Sequence, residues 1–203
     1  MSSNKFLKNI HHNVYLDKPL TYRKYICKDC TDKKKEYEFL GGDEVPKTID
    51  NLGYIQISLG RSTIYITTPE MVCPFGFNKE NNILTLQFTN INTDNEMKSF
   101  YKLIQNLEMD QMKYIGLTED DIDLYISQIR YDKQGKYDPN LVVKLPFNYN
   151  KYNVDIYNDQ FPISIFNISK FNKMTCDIYI DKMWKFNERY VCKWKVKKIF
   201  VHK

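Results

Sequence analysis

Apolar and polar residues alternate along most of this chain. Residues 54–59, 62–67 and 83–88 alternate with a period of two, so each is expected to form a strand with one face in a core. In the third of these, Leu84, Leu86 and Phe88 oppose Ile83, Thr85 and Gln87. Gly60-Arg61 separates the first two runs and predicts a tight hairpin turn. After Asp94 the period lengthens. Met97, Phe100, Tyr101, Ile104 and Leu107 recur at three- and four-residue spacing, which predicts an amphipathic helix of about four turns. Thr118 followed by Asp121 resembles a capping box, and Ile122, Tyr125, Ile126 and Ile129 would form the apolar stripe of a second helix.

Strand character returns after Pro139. Leu141, Val143 and Leu145 alternate with Val142 and Lys144, and Pro146-Phe147 turns the chain. Residues 152–157 follow with Val154 and Ile156 inward, then a turn at Asn158-Asp159 and a short strand at Ile163 and Ile165. Residues 174–181 set Cys176, Ile178 and Ile180 on one side, and residues 191–201 form the last strand. The fold class is therefore mainly β (α+β): a small, closed or partly open β-barrel, with a two-helix insertion at about 94–130 between the N-terminal and C-terminal strands. Gly41-Gly42 and Pro46 mark a boundary. Residues 46–203 are expected to form the domain, and residues 1–45 a basic arm or extension that runs free or adds a short outer strand.

The charge pattern changes this picture at one end. The chain carries a net charge of +5, yet residues 182–203 hold seven Lys and one Arg against the single acid Glu188. Residues 118–138 are net acidic and poorly suited to a polyanion. In the last strand, strict alternation puts Lys193, Lys195 and Lys197 on one face and Cys192, Trp194 and Val196 on the other. One face would be a ladder of ammonium groups and the other core, a pattern that suits something extended and negative. The 16 Tyr raise the aromatic content to 15%. Single-strand binders combine a basic groove with aromatics on which bases stack. The candidate residues of that kind are Lys193, Lys195, Lys197, Trp184 with Lys182 and Lys185, Arg189 with Tyr190, Lys144, Phe147, Tyr149, Lys151, Tyr152, and Arg61 at the hairpin tip. Trp194 is assigned to the core.

Other chemistry has little support. His occurs only at 11, 12 and 202, which removes the commonest general base from the body of the chain. No phosphate-binding loop, nucleophile elbow or His–Glu metalloprotease motif is present, so no catalytic residues and no cofactor are assigned. Cys27-Lys28-Asp29-Cys30 has the spacing of half a zinc site, but no second pair follows, and no metal is assigned. Five unevenly spaced Cys point to reduced thiols and an intracellular setting. No apolar run approaches the ~20 residues that span a bilayer.

Three stretches together resemble a family. The first runs from Thr68-Pro69 through Pro74-Phe75-Gly76 to the 83–88 strand and the 100–107 helix. The second is Pro139 to Pro146, PNLVVKLP, with the strand after it. The third is Met183-Trp184, a gap, then Cys192 to Ile199. In this order they resemble the OB-fold single-stranded DNA-binding proteins of nucleocytoplasmic large DNA viruses, distantly similar to phage replication single-strand binders. The resemblance implies an OB barrel that coats single strands without sequence preference during viral replication, recombination or repair, in the host cytoplasm or nucleus. It implies single-stranded DNA as partner, with replication proteins and further copies of the chain beside it, and neither a membrane nor a small-molecule substrate. Two positions depart from the family. Asn187-Glu188-Arg189 stands where a loop Gly is common, and the sequence closes on Val201-His202-Lys203 where the phage proteins have an acidic, aromatic-ended tail. A different reading of the same residues is a structural or virion protein with a Tyr-rich interaction surface; basic residues buried in ion pairs would favour it.

Overall fold

The computed structural model describes residues 20–26, 52–59, 62–180, 182–186 and 188–202. The half zinc site at Cys27/Cys30, His11, His12 and Arg61 lie outside them. The strands, in chain order, are β1 (Thr21–Ile26), β2 (Leu52–Ser58), β3 (Ile64–Thr67), β4 (Met71–Cys73) and β5 (Ile83–Gln87). A helix, α1 (Asn95–Tyr114), precedes β6 (Tyr125–Ile126), β7 (Ile129–Arg130), β8 (Asn140–Lys144), β9 (Phe147–Asn148), β10 (Lys151–Tyr152), β11 (Asp155–Asn158) and β12 (Phe161–Pro162). The chain closes with β13 (Asn172–Ile180), β14 (Lys182–Phe186), β15 (Arg189–Val191) and β16 (Trp194–His202).

Five of these units form a closed ring. β4 pairs β5, β5 pairs β8, β8 pairs β16 in parallel, β16 pairs β13, and β13 returns to β3 and β4. Counting β3 and β4 as one bent strand, the order around the barrel is 1-2-3-5-4-1, the OB topology. The bend falls at Thr68-Pro69. Thr68 N–H donates to Cys176 O at 2.9 Å, and Thr68 Oγ1 accepts the Cys176 N–H at 3.0 Å. A side-chain hydroxyl therefore carries the ladder across the point where Pro69 has no N–H to give. Inside the ring, Leu84, Leu86, Leu141, Val143, Met174, Cys176, Ile178, Trp194, Val196 and Ile199 are all fully buried. The alternation read from the sequence in these strands is what buries them.

A second sheet, in the order β1-β2-β14-β15-β6, lies beside the barrel. β1 pairs β2 antiparallel from Thr21↔Ser58 to Ile26↔Leu52, so part of the N-terminal extension is an outer strand. Leu59 and Ser62, on either side of the expected Gly60-Arg61 turn, exchange backbone hydrogen bonds at 2.9 and 3.2 Å; Gly60 and Arg61 lie outside the described residues.

Three sequence expectations need correction. The second helix is a short 3-10 turn, Glu119–Leu124, after which the chain extends into β6 and β7. Thr118 Oγ1 does donate to Asp121 at 2.8 Å, so the turn starts as predicted. Strand pairing then wins over propensity: Tyr125 and Ile129 are buried within β6 and β7, while Ile122 is left exposed. The expected 152–157 strand is also divided. β10 ends at Tyr152, bound in a hairpin with β9, and β11 begins at Asp155.

The third correction is the length of α1, which spans 20 residues. Asp94 caps it, accepting from Glu96 N and Met97 N at 2.8 and 3.1 Å. Met97, Phe100, Leu103, Ile104 and Leu107 are buried as the spacing predicts, but the buried face continues through Glu108 and Gln111. These polar residues hide the last turns from a hydrophobic count. Glu108 accepts from Ser127 Oγ at 2.6 Å and Gln128 N at 2.7 Å, and Gln111 Oε1 accepts from the Tyr125 hydroxyl at 2.7 Å. The helix is thus joined to β6 and to the Ser127-Gln128 link that follows it by hydrogen bonds where apolar contact would otherwise serve. Burial raises the Glu108 pKa against the lowering effect of those two donors. A carboxyl raised on folding stabilises the native state below its unfolded pKa of about 4.3 and loses that contribution as pH climbs through the folded value. Glu108→Gln is expected to flatten this decline. In urea titrations its stability relative to the parent should be greater at pH 7 than at pH 4, and a pH-independent difference would show that burial does not dominate at Glu108.

Candidate nucleic-acid interface

β16 supplies the centre of the basic surface, with a different phase from strict alternation. Asp177 of β13 pairs Lys198, and its neighbour Ile178 pairs Val196, so Lys197 is an extra residue at a β-bulge. Core positions therefore run Trp194, Val196, Ile199, Val201, with two consecutive lysines, Lys197 and Lys198, outside them. Lys193 precedes the strand and is half-buried. Its burial matches that of Lys195 and Lys198, so the bulge adds Lys198 to the predicted ladder of Lys193, Lys195 and Lys197. None of these lysines is buried.

Register places these lysines among aromatics. Ile83, Lys144, Lys195, Tyr179 and Tyr65 lie side by side on β5, β8, β16, β13 and β3. Closing the barrel is what sets Lys144 against Lys195. The Tyr65 and Tyr179 rings are 5.4 Å apart, and Lys195 Nζ lies 6.0 Å from the Tyr179 ring. Farther along β16, Phe200 pairs Tyr157 of β11 with rings stacked at 5.9 Å. Lys198 Nζ sits 4.9 Å from the Tyr157 ring and 5.0 Å from Phe200. Cations over ring faces in this way keep their charge outward while the stems pack on apolar surface. Asp177, between the two groups, accepts from Thr67 Oγ1 at 2.8 Å.

The fourth and fifth barrel strands are joined by the β14–β15 hairpin, and there Trp184 is half-buried. Its ring lies 5.3 Å from Tyr54 of β2, and Lys182 Nζ is 4.4 Å from the Tyr54 ring and 5.9 Å from Trp184. Lys185 is tied to Glu188 at 2.9 Å, which offsets its charge. Arg189 is exposed, while Tyr190 packs against the core from β15.

A third group gathers around the β9–β10 hairpin. Phe147 and Tyr152 pair across it with rings 4.7 Å apart, and Tyr149 stands at its tip beside Asn150 and Lys151. The Tyr152 hydroxyl, its pKa raised by burial, donates to Asn82 Oδ1 at 2.8 Å. That bond fixes the hairpin to the loop between the first and second barrel strands, residues 74–82. Phe77 of that loop and Phe166 complete the group, at 5.3 and 6.3 Å from Tyr152. Neither was singled out from the sequence, where a Phe reads as core. A phenylalanine flanked by turn residues, as in Pro74-Phe75-Gly76-Phe77, is the signal that was available.

No family model and no curated protein matches the sequence. Solved structures do share the fold. The single-stranded DNA-binding protein gp2.5 of bacteriophage T7 is 10% identical with a TM-score of 0.50, over 70% of this chain and 87% of that one. The single-stranded DNA-binding protein of bacteriophage Enc34 is 11% identical with a TM-score of 0.50, over 77% of this chain and 88% of that one.

The two tryptophans differ in burial, and this gives a direct check on the assigned faces. Trp194 is 1% exposed inside the ring. Trp194→Ala is expected to cost about 3–5 kcal/mol, as large core truncations do, whereas Trp184→Ala should cost well under half of that. Urea unfolding of the two variants measures the contrast, and equal losses would mean that both rings are core.

Proposed function

We propose that this chain binds single-stranded DNA without sequence preference, through the outer face of β16 and the loops that flank it. One observation carries the reading: Lys144, Lys195, Lys197 and Lys198 are brought together on one barrel face, interleaved with the Tyr65–Tyr179 and Tyr157–Phe200 ring pairs. Cations that track a backbone and rings that stack on bases are the two components of non-specific single-strand binding. OB barrels bind oligonucleotides on the face of the second and third strands and on the first–second and fourth–fifth strand loops; the lysine face is centred on the fifth strand and reaches the third at Lys144. Trp184 and Lys182 stand on the second of those loops with Tyr54 of β2 against them, and Phe147, Tyr149, Lys151 and Tyr152 beside the first. The likeness of fold to two phage single-stranded DNA-binding proteins supports the same reading. The role is non-enzymatic coating of single strands in replication, recombination or repair, with a source among large DNA viruses as the sequence resemblance implies. The virion-protein alternative called for Lys193, Lys195 and Lys197 to be buried in ion pairs; none of the three is buried, and Lys197 is exposed.

A labelled oligothymidylate and a matching duplex, titrated at several salt concentrations, test this. Releasing counterions from Z phosphates of a single strand gives a slope of log K against log salt of about −0.7Z. Three to five engaged lysines predict roughly −2 to −4, with single strands clearly preferred. Equal affinity for the duplex would overturn the reading.

The face itself is tested by changing Lys195, Lys197 and Lys198 to Gln. Surface changes of this kind usually shift stability by under about 0.5 kcal/mol each. The salt slope should nevertheless shrink by about 0.7 per lost contact. Unchanged affinity and slope would move the site elsewhere on the molecule.

A further inference from the structure

Three segments meet at one end of the barrel: residues 74–82, 147–152 and 161–171. They are held together by backbone as well as by rings. Phe171 N donates to Cys73 O at 2.7 Å, and a Cβ at Gly76 would lie 3.2 Å from both Ile168 O and Lys170 N. Phe166 is 5.9 Å from Phe77, and Lys79 Nζ is 5.8 Å from the Phe166 ring. Ten large apolar side chains are exposed among the described residues, and five of them fall in these segments: Phe75, Tyr149, Phe161, Phe166 and Phe171. Such concentration marks an interaction surface, since single exposed apolar residues are otherwise scattered.

Two of the five are also held in conformations that their side chains disfavour. Tyr149 has φ 51° and is 91% exposed; Phe171 has φ 64° and is 71% exposed. Tyr149 and Asn150, at φ 51° and 58°, form a two-residue turn of the type that prefers Asn-Gly. Asn, Asp or Gly accepts the left-handed region readily, but a bulky ring there is an outlier. Neither ring recovers the strain by packing into the core, so the strain presents the ring to something outside. The charged groups of the three segments are Lys79, Lys151 and Lys170 against Glu80. A surface of rings rimmed by net positive charge, adjoining Lys144 through Phe147, suits unpaired bases on an anionic backbone better than an apolar protein face.

We infer that this end of the barrel is a second, base-stacking surface for the bound single strand, with Tyr149 and Phe171 as its projecting rings and Phe75 and Phe166 beside them. The inference rests on the single-strand reading above and adds rings at the end of the barrel to the Tyr65–Tyr179 and Tyr157–Phe200 pairs of the lysine face. Their contribution depends on bases and is nearly indifferent to salt.

An abasic oligonucleotide, which keeps the phosphates and lacks the bases, separates stacking from phosphate contact, and a variant of the four rings assigns the stacking to this end of the barrel. The parent protein is expected to bind oligothymidylate at least tenfold more tightly than the abasic strand, given roughly 5- to 150-fold per stacked base. The quadruple variant Phe75→Ala, Tyr149→Asn, Phe166→Ala, Phe171→Asn should lose most of that preference and keep the salt slope. Tyr149→Asn and Phe171→Asn alone should each weaken binding while raising Tm by about 2–4 °C, through relief of the left-handed strain. A protein that binds abasic and normal strands alike but retains its lysine-dependent slope overturns this inference and leaves the single-strand reading standing. So does a quadruple variant with unchanged DNA affinity and an altered sedimentation coefficient, which would assign the surface to protein contact. Failure to bind any single strand overturns both.

Discussion

The parallel pairing of β8 with β16 is the constraint on which the rest of this structure turns. Only Trp194↔Val143 and Lys195↔Lys144 are in register there, yet this short seam converts a curved sheet into a ring. Inside the seam, Trp194 and Val143 are fully buried and join the two halves of the core. Outside it, the same register sets Lys195 beside Lys144 and continues the row to Tyr179 and Tyr65. The basic face is thus a product of closure: residues 51 positions apart in the sequence become neighbours only when the barrel shuts. Past the seam β16 leaves β8 and takes β11 instead, from Lys198 to Val201, which carries the surface on to Tyr157 and Phe200.

The bulge at Lys197 shows how a local irregularity serves that surface. Between Val196 and Ile199 a regular strand would hold two residues on opposite faces, one of them turned into the core. The extra residue lets both lysines stay outside and restores the apolar phase for Ile199 and Val201. The cost is one unpaired position in the ladder, and the return is three cations within four residues.

Much of this was legible in the sequence, for physical reasons that can be traced. Trp194, Leu84, Leu86 and Cys176 reveal their burial because a strand with one wet face must alternate. Asp94 and the Met97–Leu107 stripe reveal α1, but its last turns are bound through Glu108 and Gln111, and a hydrogen-bonded helix face leaves no hydrophobic period. Ile122, Tyr125, Ile126 and Ile129 fit a helix as well as two short strands, and only the pairing with β15 and β8 decides between them. The phase shift from Val196 to Ile199 was visible as two adjacent lysines between apolar residues; strict alternation was the wrong template for it. The exposed rings of Phe166 and Phe171 were invisible, because nothing in a phenylalanine's own identity says that it faces water, and only the turn residues around Phe75 hinted at its position.

β16 also has a consequence for how the molecule is made. It is hydrogen-bonded to β13, β8 and β11, and it is the last of the described strands to be synthesised. Until residues 194–202 leave the ribosome, the edges of β8, β11 and β13 that pair with β16 stand open, beside the buried positions Leu141 and Val143, Ile156, and Ile178. Open edges of that kind are where nascent chains pair wrongly with one another. The interval between emergence of β8 and arrival of β16 is therefore when these edges stand open.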